Sequence, residues 1–290
     1  MKDYLVKATS FNNKVRIYAI NSTNTVQIAQ KKHDLWPTAS AALGRTLAVG
    51  AMMGAMLKGK ENLRIKVKGD GPIGEIIVDA NRRGEIRGYV DNPQVHFQYP
   101  SGKLDVSSAV GKNGEIQVIK DLGMKNYFTS TVNIISGELG EDFTYYFTKS
   151  EQTPSSVGCG VLVDTDNSIL AAGGFIIQIM PGATEETIVQ LENKIISIKP
   201  VSDMIHKGYT PEDIVKEICQ EEPFNILATS KVNFVCDCNK EKFTRGLISL
   251  GKKDLREIID EDKKAEVVCH FCNEKYQYTE EELEDIYKNI

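Results

Sequence analysis

The stretch Gly69-Asp70-Gly71-Pro72-Ile73-Gly74-Glu75-Ile76-Ile77-Val78-Asp79 decides the fold class of this chain. Its first six residues spell G-x-G-x-x-G directly after the strand-like run Leu63 to Lys68, as a dinucleotide-binding α/β fold requires. That fold needs a helix N-terminus next, to cradle a pyrophosphate. Glu75 to Asp79 instead read as a strand, and Pro72 suits a tight turn. The stretch therefore predicts strands joined by a glycine-rich turn, and an α+β architecture in place of a doubly wound one. No Walker A pattern occurs elsewhere, so ATP dependence has no support in the sequence.

Working outward, Leu63 to Lys68, Gly74 to Ala80 and Glu85 to Val90 form an antiparallel meander of β-branched and polar residues. Leu5 to Ser10 and Lys14 to Ile20 predict a hairpin around Asn12-Asn13, since asparagine tolerates hairpin-turn dihedrals. Further strands are expected at Ile116 to Lys120, Ser130 to Ile135, Ser156 to Val163 and Ile169 to Ile179. Helical periodicity marks Thr23 to His33 and Thr38 to Leu57. The second has little charge on any face and is expected to be buried, with Met52, Met53 and Met56 filling gaps in the core. Phe143, Tyr146 and Phe147 place another helix within Gly140 to Ser150. Residues 1–180 thus read as a β-rich α+β core domain with packed helices.

Pro181-Gly182 ends that block, and residues 181–230 read as a helical connector. Thr184 can cap a helix whose apolar residues Ile188, Leu191, Ile195 and Ile198 recur at intervals of three and four. Thr210-Pro211-Glu212-Asp213 opens a second, with a hydroxyl at the cap, proline at the first helical position and an acid three residues after the cap. Residues 231–290 form a small C-terminal module. Its one long apolar pattern is Phe243, Leu247, Ile248, Leu250, Leu255, Ile258 and Ile259, and Thr279 with Glu282 makes a capping box for a final helix.

Composition narrows the function classes. The chain has 290 residues, 41% of them hydrophobic, with 35 Lys and Arg against 40 Asp and Glu. A net charge of -5 leaves no basic nucleic-acid footprint. No apolar run approaches the roughly 18 to 20 residues that cross a bilayer, and Met1 to Lys7 lacks a secretory apolar stretch, which predicts a cytosolic protein with no membrane partner. Six cysteines are too few for a disulfide scaffold.

Four of those cysteines fall in two short pairs, Cys236-Asp237-Cys238 and Cys269-His270-Phe271-Cys272. Four thiolates satisfy the tetrahedral preference of zinc, so Cys236, Cys238, Cys269 and Cys272 are the expected ligands of one Zn²⁺. His270 is not needed to fill the shell. Cys159, in an apolar strand, and Cys219, on a helix, read as packed thiols. A module with so small a core should depend on its metal. C-x-C is less usual than C-x-x-C in a structural knuckle, and its α-carbons are close enough for a somewhat strained disulfide. Oxidation would remove the thiolates that zinc requires, so the cluster can work as a switch that cytosolic reductants reset.

Two other classes stay open on the residues alone. One is a nucleic-acid-binding protein with a constitutive zinc module, although the cations between Lys240 and Lys264 are interleaved with nearly as many acids. The other is a thiol–disulfide oxidoreductase, which would want its C-x-x-C at a helix N-terminus in a βαβ context. His33, His96 and His206 are scattered, and neither G-x-S-x-G nor H-E-x-x-H accompanies them, so no hydrolytic site and no enzyme is predicted.

The chain resembles the heat shock protein 33 family of redox-regulated chaperones over its whole length. The resemblance rests on Gly69 to Gly74 with Val78-Asp79-Ala80-Asn81, on Gly137-Glu138-Leu139-Gly140-Glu141-Asp142-Phe143-Thr144-Tyr145-Tyr146, on Ser150 to Ser156, and on the two cysteine pairs with Asn273-Glu274. It implies an ATP-independent holdase that is inactive when reduced and zinc-bound. Carried over by position, it implies that oxidation pairs Cys236 with Cys238 and Cys269 with Cys272. It further implies that the connector 181–230 then loosens, that unfolding client proteins are bound, and that the active form tends to be a homodimer.

Overall fold

The structure is a computed structural model that describes residues 2–290. The chain divides into two compact units, the first ending at Val235 and the second running Cys236–Ile290.

In the first unit, β1 (Tyr4–Ser10) and β2 (Val15–Asn21) form the expected hairpin, with Phe11, Asn12 and Asn13 all at positive φ. Helices α1 (Thr23–His33) and α2 (Pro37–Gly54) follow. The meander is β3 (Asn62–Lys68), β4 (Glu75–Asn81) and β5 (Glu85–Val90). Gly69 to Gly74 is the β3–β4 turn, and a strand follows it, so the dinucleotide fingerprint fails as the sequence predicts. A Cβ at Gly69 or Gly71 would lie 2.0 or 2.3 Å from the backbone oxygens of Val110 and Ala109, so the glycines serve close backbone approach.

Next come α3 (Val106–Val110), which the sequence reading does not include, then β6 (Glu115–Asp121), β7 (Phe128–Asn133) and α4 (Gly140–Lys149). Strands β8 (Ser155–Val163) and β9 (Ile169–Ile179) lead into α5 (Glu185–Ser197), α6 (Val201–His206) and α7 (Pro211–Cys219). The chain then returns as β10 (Phe224–Lys231) and β11 (Asn233–Phe234).

These elements make two sheets, ordered β10-β1-β2-β9-β8 and β11-β5-β4-β3-β6-β7. Helix α2 packs against both sheets and is buried from Thr38 to Gly54, as its even apolarity predicts. Its glycines set the spacing. A Cβ at Gly44 would sit 2.7 Å from Val161, and one at Gly50 2.8 Å from Val78, so neither sheet could approach a larger residue there. Met52 and Met53 are buried and Met56 partly buried in this core. The other face of the first sheet carries a second core, where Val6, Ile17, Phe175 and Ile177 meet Leu191, Met204, Ile214 and Ile218 of α5, α6 and α7.

The connector differs from expectation at its end. Helices account for α5 to α7, with Thr184 and Thr210 capping as read, but Phe224–Lys231 is a strand antiparallel to β1. Most of β10 is exposed, so no buried alternation announces it, and pairing with β1 alone makes it a strand.

The second unit holds α8 (Lys240–Leu250), α9 (Lys252–Asp262), the hairpin β12 (Lys264–Val268) and β13 (Lys275–Thr279), and α10 (Glu280–Lys288). Its buried core is Leu247, Leu255, Ile259, Tyr278 and Leu283, with Phe243 and Ile258 packed at the margin. Ile248 and Leu250, expected inside, are exposed. They lie off the α8 face that Leu247 turns inward, and Gly251 ends the helix one residue later.

Candidate metal centre

Two local structures deliver the four thiols. Cys236 and Cys238 stand two apart on a non-helical segment, so side chains of period two point the same way. Asn239 then caps α8, its Oδ1 accepting from the Lys242 amide at 2.9 Å. The Lys242 ammonium donates to the Asp237 carbonyl at 2.9 Å and pairs with the Asp237 carboxylate, which holds the intervening residue.

Cys269 and Cys272 sit in the turn of the β12–β13 hairpin. The Cys269 amide donates to the Glu274 carbonyl at 2.9 Å, and the amides of Asn273 and Cys272 donate to the Cys269 carbonyl at 2.8 and 3.3 Å. Asn273 takes φ +56, a left-handed conformation that asparagine tolerates. Both thiols are buried. Backbone amides turn toward the sulfurs, those of Phe271 and Cys272 to Cys269 and that of Glu274 to Cys272.

The structure brings together all four cysteines singled out in the sequence. The Sγ atoms of Cys236 and Cys269 are 3.7 Å apart, those of Cys238 and Cys272 3.4 Å apart, and all four lie within 4.8 Å of one another. Sulfurs about 2.3 Å from a tetrahedral centre would stand roughly 3.8 Å apart, so the cluster fits one ion. Bonded sulfurs would be about 2.05 Å apart. Among the described residues no two cysteines are joined by a disulfide.

Electrostatics favour a cation there. Burial pushes the Cys272 and Cys269 thiols up, and neighbouring thiols push Cys272 further. Burial also opposes ionisation of Cys238, but the Tyr276 hydroxyl donated at 3.3 Å and the adjacent thiols outweigh it and lower that group. Burial thus disfavours the ionised forms of Cys269 and Cys272, while the hydrogen bonds to Cys238 favour its thiolate. Four thiolates together require a positive ion between them.

Two residues that sequence reasoning missed support the cluster. Tyr276 donates to Cys238 and packs its ring 4.9 Å from that of Phe243. Tyr278, fully inside the core, donates to the Lys240 carbonyl at 2.8 Å and so ties β13 to the first turn of α8. Their i, i+2 spacing after Cys272 is a strand signal that would have placed both on the hairpin. The remaining candidates stay apart. Cys159 packs beside the first core with its thiol pushed up to about 11 by burial, and Cys219 is buried in the second core with its thiol also raised. His270 is exposed on the turn and is not in the cluster. His33 ends α1, His206 ends α6, and His96 lies in the loop after β5.

Among the described residues, no helix is long and apolar enough to cross a membrane. A family model described as "Hsp33 protein" matches residues 3–279. The 33 kDa chaperonin of Bacillus subtilis is 56% identical over 285 residues, covering 98% of each chain. That of Staphylococcus aureus is 56% identical over 289 residues, covering 99% of each. The crystal structure of the 33 kDa chaperonin from Thermotoga maritima superposes with a TM-score of 0.93 at 36% identity, covering 100% of this chain and 99% of that one. With the α+β fold and the four-thiol cluster already in place, these likenesses show that the chain belongs to the Hsp33 family.

Proposed function

We propose that this chain is a cytoplasmic, ATP-independent holdase chaperone that is switched on by oxidation. The observation that carries the reading is the cluster of four thiols in a unit of small core, in a family whose relatives are named chaperonins. In the reduced state Cys236, Cys238, Cys269 and Cys272 would hold one Zn²⁺, which when bound would keep the sulfurs as thiolates.

Peroxide supplies the oxidising equivalents. One thiolate of a pair attacks its O–O bond and becomes a sulfenic acid as hydroxide leaves. The neighbouring thiolate then displaces hydroxide to form the disulfide. Cys236 pairs with Cys238 and Cys269 with Cys272, so each local pair loses two electrons and no donors remain for the ion. The second unit then loses the ion that its core cannot replace.

The connector is built to follow. Only Leu191 of α5 is fully buried, Ile188, Ile195 and Ile198 are half-buried, and Ile196 is 84% exposed. Such a helix is held weakly, and its release uncovers apolar surface that binds unfolding chains without a sequence code. The active form is a homodimer. No catalysis and no nucleic-acid partner belong to this reading. Lys240, Lys242, Arg256 and Lys263 are each paired with a carboxylate, which favours a solvated face over a phosphate-binding one.

Zinc release, followed with a colorimetric chelator, and light scattering by a heat-unfolding protein test the reading together. Peroxide under mild heat should release zinc and raise suppression in parallel, and a reductant should reverse both. Zinc release without suppression would refute it.

A further inference from the structure

Strand β8 ends the first sheet and, among the described residues, pairs only with β9. The Val157 amide donates outward, to the Thr144 hydroxyl at 3.0 Å, so the alternation of an antiparallel ladder turns the amide and carbonyl of Cys159 and Val161 outward too. From Ser155 to Val163 the strand has no charge and no proline, and its register stays regular until Leu162. Natural edges are ordinarily guarded by lysine, proline or an early bulge, because an open edge recruits other strands.

A cleft of about 890 Å³ runs along this edge. One wall is the segment Ile195 to Asp203, the other the loop around Lys103 and Leu104. Arg45 and Glu138 also line it. Arg45 is 8% exposed and its Nη1 donates to the Glu138 carboxylate at 2.9 Å, so this cation is already paired. Open main-chain groups beside a cleft fit an occupant rich in carbonyl oxygens and amides.

We propose that the β8 edge takes an extended, uncharged segment of an unfolded polypeptide as an added strand. This inference rests on the chaperone reading and names the surface that reading lacks. Because Ile195 and Ile198 lie at the end of the weakly held α5, its loosening widens the cleft, and edge pairing becomes available in the oxidised state.

The probe is a fluorescent Val/Thr peptide with lysine ends, read by anisotropy against the oxidised full-length protein. A version with its central amides N-methylated keeps the side chains and loses the donors. It should bind at least about tenfold more weakly, the loss expected from two missing hydrogen bonds. Val161→Pro, which removes an outward amide from an edge strand, should weaken the parent peptide similarly at unchanged zinc content. Should that variant fail to fold, a benzophenone-bearing peptide on the unmodified protein decides, by cross-linking within residues 155–165 or elsewhere. Equal binding of both peptides, or cross-links away from β8, would overturn the proposal. So would cross-links from β8 to a second copy of the chain. Suppression of scattering, measured on the same samples, separates the two ideas. Suppression without β8 pairing sinks only the edge, and absence of suppression sinks the chaperone reading.

Discussion

Stripping the metal from the reduced protein should unfold the second unit while leaving the first intact. The unit spans Cys236–Ile290 and fully buries Leu247, Leu255, Ile259, Tyr278 and Leu283 beside the thiols of Cys269 and Cys272. A core of this size supplies at most ~3 to 5 kcal/mol of net stability. A four-thiolate zinc site contributes ~10 to 16 kcal/mol, so the metal supplies most of the unit's stability and its removal leaves folding marginal at best. Helices α8, α9 and α10, of 11, 11 and 9 residues, melt with it. They hold close to a third of the chain's helical residues, so ellipticity at 222 nm should fall by roughly 30% if they open as one unit. The single tryptophan, Trp36, precedes α2 in the first unit, and its emission should not move. The assay is titration with a chelator under a reductant, which keeps disulfides from forming, with ellipticity and tryptophan emission read together. Complete metal removal with ellipticity unchanged would refute the reasoning, because the small core would then suffice alone.

Three further outcomes are expected. Tyr276→Phe keeps the ring contact with Phe243 and removes the hydroxyl that helps hold Cys238 ionised, so metal affinity should fall about 10-fold. Protons should then compete better, and release in a chelator competition should begin at a higher pH. Asp142→Ala removes the buried carboxylate that accepts from the Ile135, Ser136 and Leu139 amides, each at 2.8 Å, and should cost at least ~3 kcal/mol in denaturant unfolding followed by Trp36. Thr210→Ala breaks the capping box of α7 and should cost ~1 kcal/mol at neutral pH. The Thr210 hydroxyl and amide hold the Asp213 carboxyl below its ordinary range. A depressed carboxyl stabilises the fold above its unfolded pKa and loses that effect as pH falls through the folded value, so the penalty should shrink below about pH 4.

Much of the first unit was legible because its cores impose regular periods. Leu63, Ile65 and Val67 alternate on β3, and α2 is apolar all round because it packs against both sheets. Caps at Thr184, Thr210 and Thr279 were equally readable, since each is a local exchange between a side chain and the next turn. What escaped was exposed or non-local. β10 is an exposed strand defined by its pairing with β1, α3 is only five residues long, and the hairpin β12–β13 lies in a charged segment with few buried positions.

By itself the sequence determined the class of the fold and the identity of the four thiols. Strand-like residues after a glycine-rich turn exclude a nucleotide cradle, and four cysteines in two short pairs have one natural geometry. The tertiary structure decided what no spacing expresses. It set sulfurs from residues 33 and 34 apart at 3.7 and 3.4 Å, put the Tyr276 hydroxyl on Cys238, and left the β8 edge open beside its cleft. The physical reason is that caps and periodicities arise between neighbours in sequence. Ionisation within the thiol cluster and the openness of a sheet edge depend on what distant segments bring, or fail to bring, to the same place.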